Sequence, residues 1–244
     1  MIEFFLIVCY NYNMDEKILQ GYLSEILSGD KKDKFNEFYK ILCFYNQQYN
    51  LTRIIEPEEC NIKHFLDSIC AEKYFSFGAN VIEIGSGAGF PSIPLKIFRE
   101  DLSFTLVESV GKKCNFLQTA VKELDLKNVK VLNIRAEDGG KDALLREKFD
   151  ICCARAVARL NTLSEYCVPF IKVGGKFIAY KGDAVEEIQE AKNAFSVLGV
   201  KISTVENYQL LQDAGERTLI VAEKFKKTDK VYPRGNGKER KKPL

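Results

Sequence analysis

VIEIGSGAGFPSIPL, residues Val81 to Leu95, decides how the chain is read. A β-branched run meets Gly85, Gly87 and Gly89, and then Phe90 and Pro91. The order is strand, glycine turn, helix, so the glycines stand at the carboxyl edge of a strand. In open α/β sheets ligands bind at that edge. Glycine lets the backbone bend tightly there and lets a ligand press against it. A dinucleotide fingerprint would read G-x-G-x-x-G, but its third glycine would fall at position 90, which is Phe90. The actual spacing is G-x-G-x-G. A bulky Phe90 followed by Pro91 is a poor helix opening for a pyrophosphate. The turn suits a nucleoside without one.

Working outward, short apolar or β-branched runs recur at Val81–Ile84, Phe104–Val107, Val129–Ile134, Asp150–Ala154 and Phe177–Tyr180. Helix-length segments separate them at Pro94–Arg99, Gly111–Leu124, Ala143–Glu147 and Asn161–Ile171. Alternation of this kind predicts parallel βαβ units with right-handed crossovers. Near-continuous apolar strands predict a sheet covered on both faces. A helix over Ala184–Leu198 follows, then strands near Val200–Tyr208 and Thr218–Phe225. The connection between those two strands is short and holds Gly215, which predicts an antiparallel pair at the sheet edge. The expected fold is therefore α/β, Rossmann-like, with seven mostly parallel strands and the last antiparallel.

Upstream the texture is helical. Leu19, Leu23, Ile26 and Leu27 recur at helical spacing, as do Phe35, Phe38, Leu42 and Tyr45. Gly29-Asp30 breaks the first helix from the second. Pro57 can open a short helix, and Asn61 is expected to cap a further one through His64, Leu66 and Ile69. The expected organisation is a possible start-site extension over 1–13, an N-terminal helical lid over 14–75, the Rossmann-like domain over 76–225 and a basic tail over 226–244. The first of these, within MIEFFLIVCY, lacks a basic leader and a cleavage site, so it reads poorly as a signal peptide. No apolar run approaches the roughly 18 residues that span a bilayer.

The chain has 244 residues, 46% hydrophobic and 29% charged, which is globular composition. Eight cysteines lie scattered without a CxxC pair, and a single histidine, His64, leaves no paired zinc spacing. These features fit buried thiols in a reducing cytoplasm, and a cytoplasmic location is expected. The net charge of +2 is uneven. Residues 224–244 hold nine basic side chains against Asp229 and Glu239, so that stretch carries +7 and the remainder −5. A polyanion partner and a merely solvating tail both fit that asymmetry.

Glu108 closes the second strand about 20 residues beyond the glycines, where a carboxylate can accept both ribose hydroxyls. That feature fits NAD as well as S-adenosyl-L-methionine, so the glycine spacing is what discriminates. Arg135, Ala136 and Glu137 follow the third strand, Arg155 follows the fourth, and Gly174-Gly175 precedes the fifth. All are expected to converge on one pocket at one rim.

These pieces together resemble the GidB/RsmG family. The resemblance rests on Tyr49-Asn50-Leu51-Thr52, His64-Phe65-Leu66-Asp67-Ser68, IEIGSGAGFPSIPL and LVESVGKKCNFL. It extends through Arg135-Ala136-Glu137, Asp150 with Arg155-Ala156, Tyr180-Lys181-Gly182 and the ending YPRGNGKERKKPL. It implies a class I methyltransferase that uses S-adenosyl-L-methionine to methylate guanine N7 in 16S ribosomal RNA of the small subunit. It implies cofactor contacts at Gly85, Phe90, Ala136, Glu137 and Arg155, to which the turn and ribose arguments add Gly87 and Glu108. Guanine N7 carries a lone pair and no proton, so no general base is expected. Catalysis would then rest on positioning, with Arg135 and Arg155 gripping an RNA phosphate or the guanine edge. No metal is expected. In A-form RNA the N7 edge lies in a groove too deep and narrow for side chains, so the target would be in a loop or flipped out. Lys31, Lys32, Lys34, Lys40 and Arg53 of the lid, with the tail, are the candidates to hold phosphates. Loss of 226–244 is accordingly expected to weaken RNA binding far more than cofactor binding. No membrane partner is expected, and nothing demands a dimer, so a monomer is expected. A methyltransferase for another RNA, a small molecule or a protein, a noncatalytic RNA binder and a dehydrogenase are the alternatives.

Overall fold

A computed structural model describes residues 16–244 of the chain. The expected extension over 1–13 lies outside the described residues. Helices α1 (Glu16–Ser28) and α2 (Lys32–Tyr49) are followed by α3 (Pro57–Cys60), a π-helical turn Asn61–Leu66, and α4 (Asp67–Ile69). The alternating part then runs β1 (Asn80–Ile84), α5 (Ser92–Phe98), β2 (Ser103–Glu108), α6 (Gly111–Glu123), β3 (Val129–Asn133) and α7 (Ala136–Gly139). It continues through β4 (Phe149–Arg155), α8 (Leu160–Cys167), β5 (Ile171–Lys181), α9 (Val185–Glu190) and α10 (Lys192–Leu198). An antiparallel pair, β6 (Val200–Gln209) and β7 (Glu216–Lys224), and the short α11 (Lys238–Lys241) complete the chain.

The seven strands form one sheet in the order β3-β2-β1-β4-β5-β7-β6. The first five pair in parallel, and β7 enters antiparallel between β5 and β6. The reversal of strand order at β1/β4 creates the crevice where such sheets take ligands.

Period-two alternation explains the near-continuous apolar strands. Val81, Leu106, Ile151, Cys153, Ile178, Leu219 and Val221 face one side, with α1, α2, α5 and α6. Ile82, Val107, Cys152, Ala154, Phe177, Ala179 and Ile220 face the other, with α8, α9 and α10. Each face is buried, so neither parity tolerates polar residues. Of the few polar side chains buried on the strands, Glu83 of β1 is fully buried with neither carboxylate oxygen hydrogen-bonded among the described residues. Burial pushes its pKa up to about 7, with Ser92, Ser86 and Arg155 working against the rise.

The helical lid joins the first face as one continuous core. Phe38 packs on Phe65 and on Phe90 of the glycine turn, each at 5.6 Å between centroids. Polar ties reinforce the seam. Tyr74 donates to Glu206 at 2.7 Å, and the Tyr180 hydroxyl donates to the Ser68 carbonyl at 2.9 Å.

Several expectations fail locally. Asn61 caps nothing: its φ of −60° and ψ of −38° are helical, and the chain turns continuously from Pro57 into the π segment. Residues 143–147 form turns instead of a helix, because Glu147 adopts a left-handed φ of 53° and Leu144 is left exposed. The helix after β3 is α7, directly behind Arg135. The 184–198 helix divides at Ala191 into α9 and α10. Gly174 and Gly175 lie within β5 and not before it, where the pairing with β4 slips its register. They sit near the amino end of a parallel strand and thus at the rim opposite Arg155. They cannot join a site at the carboxyl edge.

The tail is built into the body. Lys224 is buried and donates to Glu147, Val168 and Ile171 at 2.9, 3.1 and 2.8 Å. Arg146 donates to the carbonyls of Thr228, Asp229 and Tyr232 at 2.7–3.0 Å. No described helix is long and apolar enough to cross a membrane.

Candidate functional site

The glycine turn has the conformations its sequence requires. Gly85, Gly87 and Gly89 take φ of 73°, 55° and 86°, which side-chain-bearing residues rarely adopt. A Cβ on Gly85 would stand 2.6 Å from Cγ2 of Val157. The first strand tip and the loop after β4 are therefore in closest approach at this glycine. The Gly85 and Ser86 amides donate to the Val107 carbonyl at 2.8 and 3.1 Å, tying the turn to β2. The Glu108 carboxylate completes the tie, accepting from Gly87 N at 3.0 Å and from Val110 N at 2.8 Å.

Across these tips lies a first cavity of about 320 Å³. Gly85, Glu108, Arg135, Ala136 and Glu137 line it, and with them stand Ile84, Val107, Ile134, Val157 and Tyr166. Its chemistry fits a nucleoside-bearing cofactor. A bare-backbone floor meets apolar walls from two strand tips, and Glu108 is held in place by two amides. A carboxylate has about four acceptor sites in all, so two remain for vicinal hydroxyls.

A second cavity, about 430 Å³, opens on the other side of the β4 tip. Consecutive residues divide them: Val157 lines the first, and Ala156, with a left-handed φ of 57°, lines the second. Arg155 belongs to the second. Its guanidinium donates to Asp67 at 2.9 Å and to the Lys63 carbonyl at 3.2 Å, and lies 5.0 Å from the Phe90 ring centroid. Asp67, almost fully buried, also accepts from the Tyr208 hydroxyl at 3.0 Å and pairs with Arg217 at 3.3 Å. Lys181 joins this wall, paired with Glu187 at 2.6 Å.

His64 sits between these groups. Its ring stacks on Phe90 at 4.2 Å between centroids. Nδ1 is 3.2 Å from an Arg155 nitrogen, and Nε2 is 2.8 Å from the Thr52 hydroxyl. A guanidinium can only donate, so Nδ1 accepts and Nε2 carries the proton. Burial, then the nearby Arg155 charge, lowers the His64 pKa from 6.5 to about 3. The ring is thus a neutral spacer that orients Arg155. The π-helical turn, a form frequent at functional sites, carries it into place.

The predicted residues therefore divide. Gly85, Glu108, Arg135, Ala136 and Glu137 share the first cavity. Gly87 braces Glu108 from behind, and Phe90 is buried against His64 and the lid. Arg155 stands in the second cavity, so the single convergent pocket is in fact two adjoining ones. The two exist because the loop after β4 passes between them. Tyr166, Tyr208 and Arg217 escaped the sequence reading, and Gly237 and Arg240 were read only as part of a basic tail; the fold carries all five to the rim. The lid lysines are largely engaged internally. Lys31 donates to the Phe98 carbonyl at 2.7 Å, Lys34 pairs with Glu100 at 3.0 Å, and Lys40 pairs with Glu37 at 3.2 Å.

Comparison with known proteins agrees with this geometry. The O-methyltransferase from Bacillus cereus, solved in complex with SAH, superposes with a TM-score of 0.58 at 17% identity, covering 84% of this chain and 96% of that one. TYW2 of M. jannaschii, solved with AdoMet, superposes at 0.54 and 17% identity, covering 72% and 79%. At such identities the likeness speaks for the fold. Sequence relatives are much nearer. Ribosomal RNA small subunit methyltransferase G of Brevibacillus brevis is 49% identical over 221 residues, 89% of this chain and 93% of the relative. Its namesake from Lactobacillus helveticus is 45% identical over 224 residues, 90% and 93% of the two chains. The family model GidB, described as rRNA small subunit methyltransferase G, matches residues 31–218. A match over most of the chain, at such identity and on this fold, means that the protein belongs to the GidB family.

Proposed function

We propose that the protein methylates guanine N7 in 16S ribosomal RNA of the small subunit, with S-adenosyl-L-methionine as the methyl donor. The observation that carries this reading is the pair of adjoining cavities: a nucleoside-sized one over the strand tips, and a cationic one beside it without an acid–base pair. Bound, the cofactor would supply the methyl group and a sulfur leaving group. The chain's residues do the holding. Gly85 gives bare backbone, Glu108 offers its free lone pairs to ribose hydroxyls, and Ala136-Glu137 border the base.

The second cavity would take the target nucleotide. Its charges nearly cancel in pairs: Asp67 offsets one of Arg155 and Arg217, Lys181 faces Glu187, Lys63 is paired with Glu59, and His64 is neutral. One positive charge is left over, which suits a phosphate or the O6 edge of guanine. An N–H donor on O6 leaves the N7 lone pair free, and N7 needs no deprotonation. Orientation of two bound reactants is then sufficient in principle, being worth up to about 7–11 kcal/mol in well-aligned cases. Arg135, exposed on the first cavity's rim, would meet the backbone of the same RNA.

The test is methyl transfer from tritiated S-adenosyl-L-methionine to small subunits from cells lacking this protein, followed by nucleoside analysis. Label in 7-methylguanosine is expected. Label in another nucleoside, or only in a small molecule, would overturn the reading. Arg155→Ala should lower turnover far more than affinity for S-adenosylhomocysteine.

A further inference from the structure

We infer that the C-terminal strap, Pro233–Arg240, is a working wall of the first cavity, and that Arg240 binds the adenosyl part of the cofactor. The inference rests on the cofactor reading above and extends it to residues that the sequence marks only as a basic ending.

The strap is anchored as a wall should be. Glu165, fully buried on α8, accepts from Arg234 through its backbone amide at 2.8 Å, Nε at 2.9 Å and Nη2 at 2.7 Å. The Thr162 hydroxyl donates to the Glu239 carbonyl at 2.9 Å. The buried Glu239 carboxylate accepts from the Gly235 amide and closes the turn. Pro233 packs against Gly140, where an added Cβ would stand 2.9 Å from its Cγ. These ties hold Gly237 and Arg240 at the first cavity beside Tyr166.

A basic segment that served only to contact RNA would not need a buried glutamate, a buried threonine contact and a fitted proline. Those features fix one backbone path, and that path ends at the cavity of Glu108 and Glu137. Arg240 itself stands at the mouth with much of its side chain in solvent, next to the Tyr166 ring and hydroxyl. A guanidinium so placed can lie over the face of a purine or donate to its ring nitrogens. A nucleoside fits as the occupant: Glu108 and Glu137 offset Arg135 and Arg240 on this lining, so no net positive charge is left to hold a phosphate.

Calorimetric titration of the full chain with S-adenosylhomocysteine and with 5′-methylthioadenosine, which lacks the amino-acid end, is the test. Arg240→Ala should weaken both ligands about five- to tenfold, while Lys242→Ala, on the exposed end outside the cavity, leaves both unchanged. Equal affinities for wild type and Arg240→Ala would overturn the strap's role and leave the cofactor reading standing. A loss confined to S-adenosylhomocysteine would move Arg240 to the amino-acid end and overturn the adenosyl assignment. If wild type binds neither ligand, the cofactor reading falls and this inference with it. Circular dichroism melts of each variant separate binding loss from unfolding.

Discussion

The two cavities are neighbours at one sheet edge, yet they are built on different principles. The first is positioned by backbone: the left-handed Gly85 at its floor, the Gly87 and Val110 amides that hold Glu108, and strand tips in parallel register. Its shape depends on local conformation. The second is made of side chains brought together from the lid, from β4 and from the β6/β7 pair, with Asp67 linking Arg155, Arg217 and Tyr208. Its shape depends on charge balance among side chains that are themselves mostly buried. Damage should therefore spread differently from the two places.

The largest effect is expected at Asp67. Asp67→Asn keeps the volume but removes the charge facing two guanidinium groups. Breaking such a buried pair typically costs about 3–5 kcal/mol, and urea unfolding should register a loss of that size. A double variant, Asp67→Asn with Arg217→Met, should recover part of it. Absence of any recovery would mean that the carboxylate does not act through the paired cations.

A smaller loss is expected at Gly85. Gly85→Ala forces a left-handed conformation on alanine, costing of order 1–3 kcal/mol, and pushes Cβ toward Val157. Adding Val157→Ala relieves the contact but not the φ. Stability and S-adenosylhomocysteine affinity, read together, should improve only partway. Full restoration would show that the steric contact alone matters, and it would weaken the contrast between a backbone-built and a side-chain-built cavity.

Last comes a pH dependence carried by His64 of the second cavity and by Glu83 in β1. The unfolded chain protonates His64 near its ordinary 6.5, whereas the folded one resists until about 3. The unfolded state thus takes up the proton first. The stabilisation from neutral His64 is fully present above 6.5 and is lost as the pH falls toward 3, by at most about 1.4 kcal/mol per pH unit. Glu83 runs the other way: its raised pKa makes stability fall as the pH rises from 4.5 through about 7. Comparing urea midpoints of wild type, His64→Gln and Glu83→Gln between pH 4 and pH 8 resolves the two slopes. If His64→Gln retained the acid-side loss, the neutral spacer role would be wrong.

The same contrast explains what could be read from residues alone. Strand positions were legible because burial on both faces forces apolar runs, and Val81–Ile84 or Phe104–Val107 leave little choice. The glycine turn was legible because a positive φ selects glycine. Residues 143–147 misled because their composition suits a helix, while the left-handed Glu147 and the clamp of Arg146 to the tail are tertiary facts. The tail misled in the other direction. Its charge left a solvating tail open as one reading, but Glu165 lies far away in sequence and gives no local sign that it waits for Arg234.

Sequence by itself determined the sheet, its parallel character, the glycine turn and Glu108 at the tip beyond it, since each follows from conformational preference or solvation acting over a few residues. Tertiary structure alone decided that Arg135 and Arg155 stand in separate cavities, that His64 is held neutral between Arg155 and Thr52, and that the basic ending turns back to wall the first cavity. Those outcomes depend on which distant groups share a low-dielectric space, and a local pattern of residues carries no record of that.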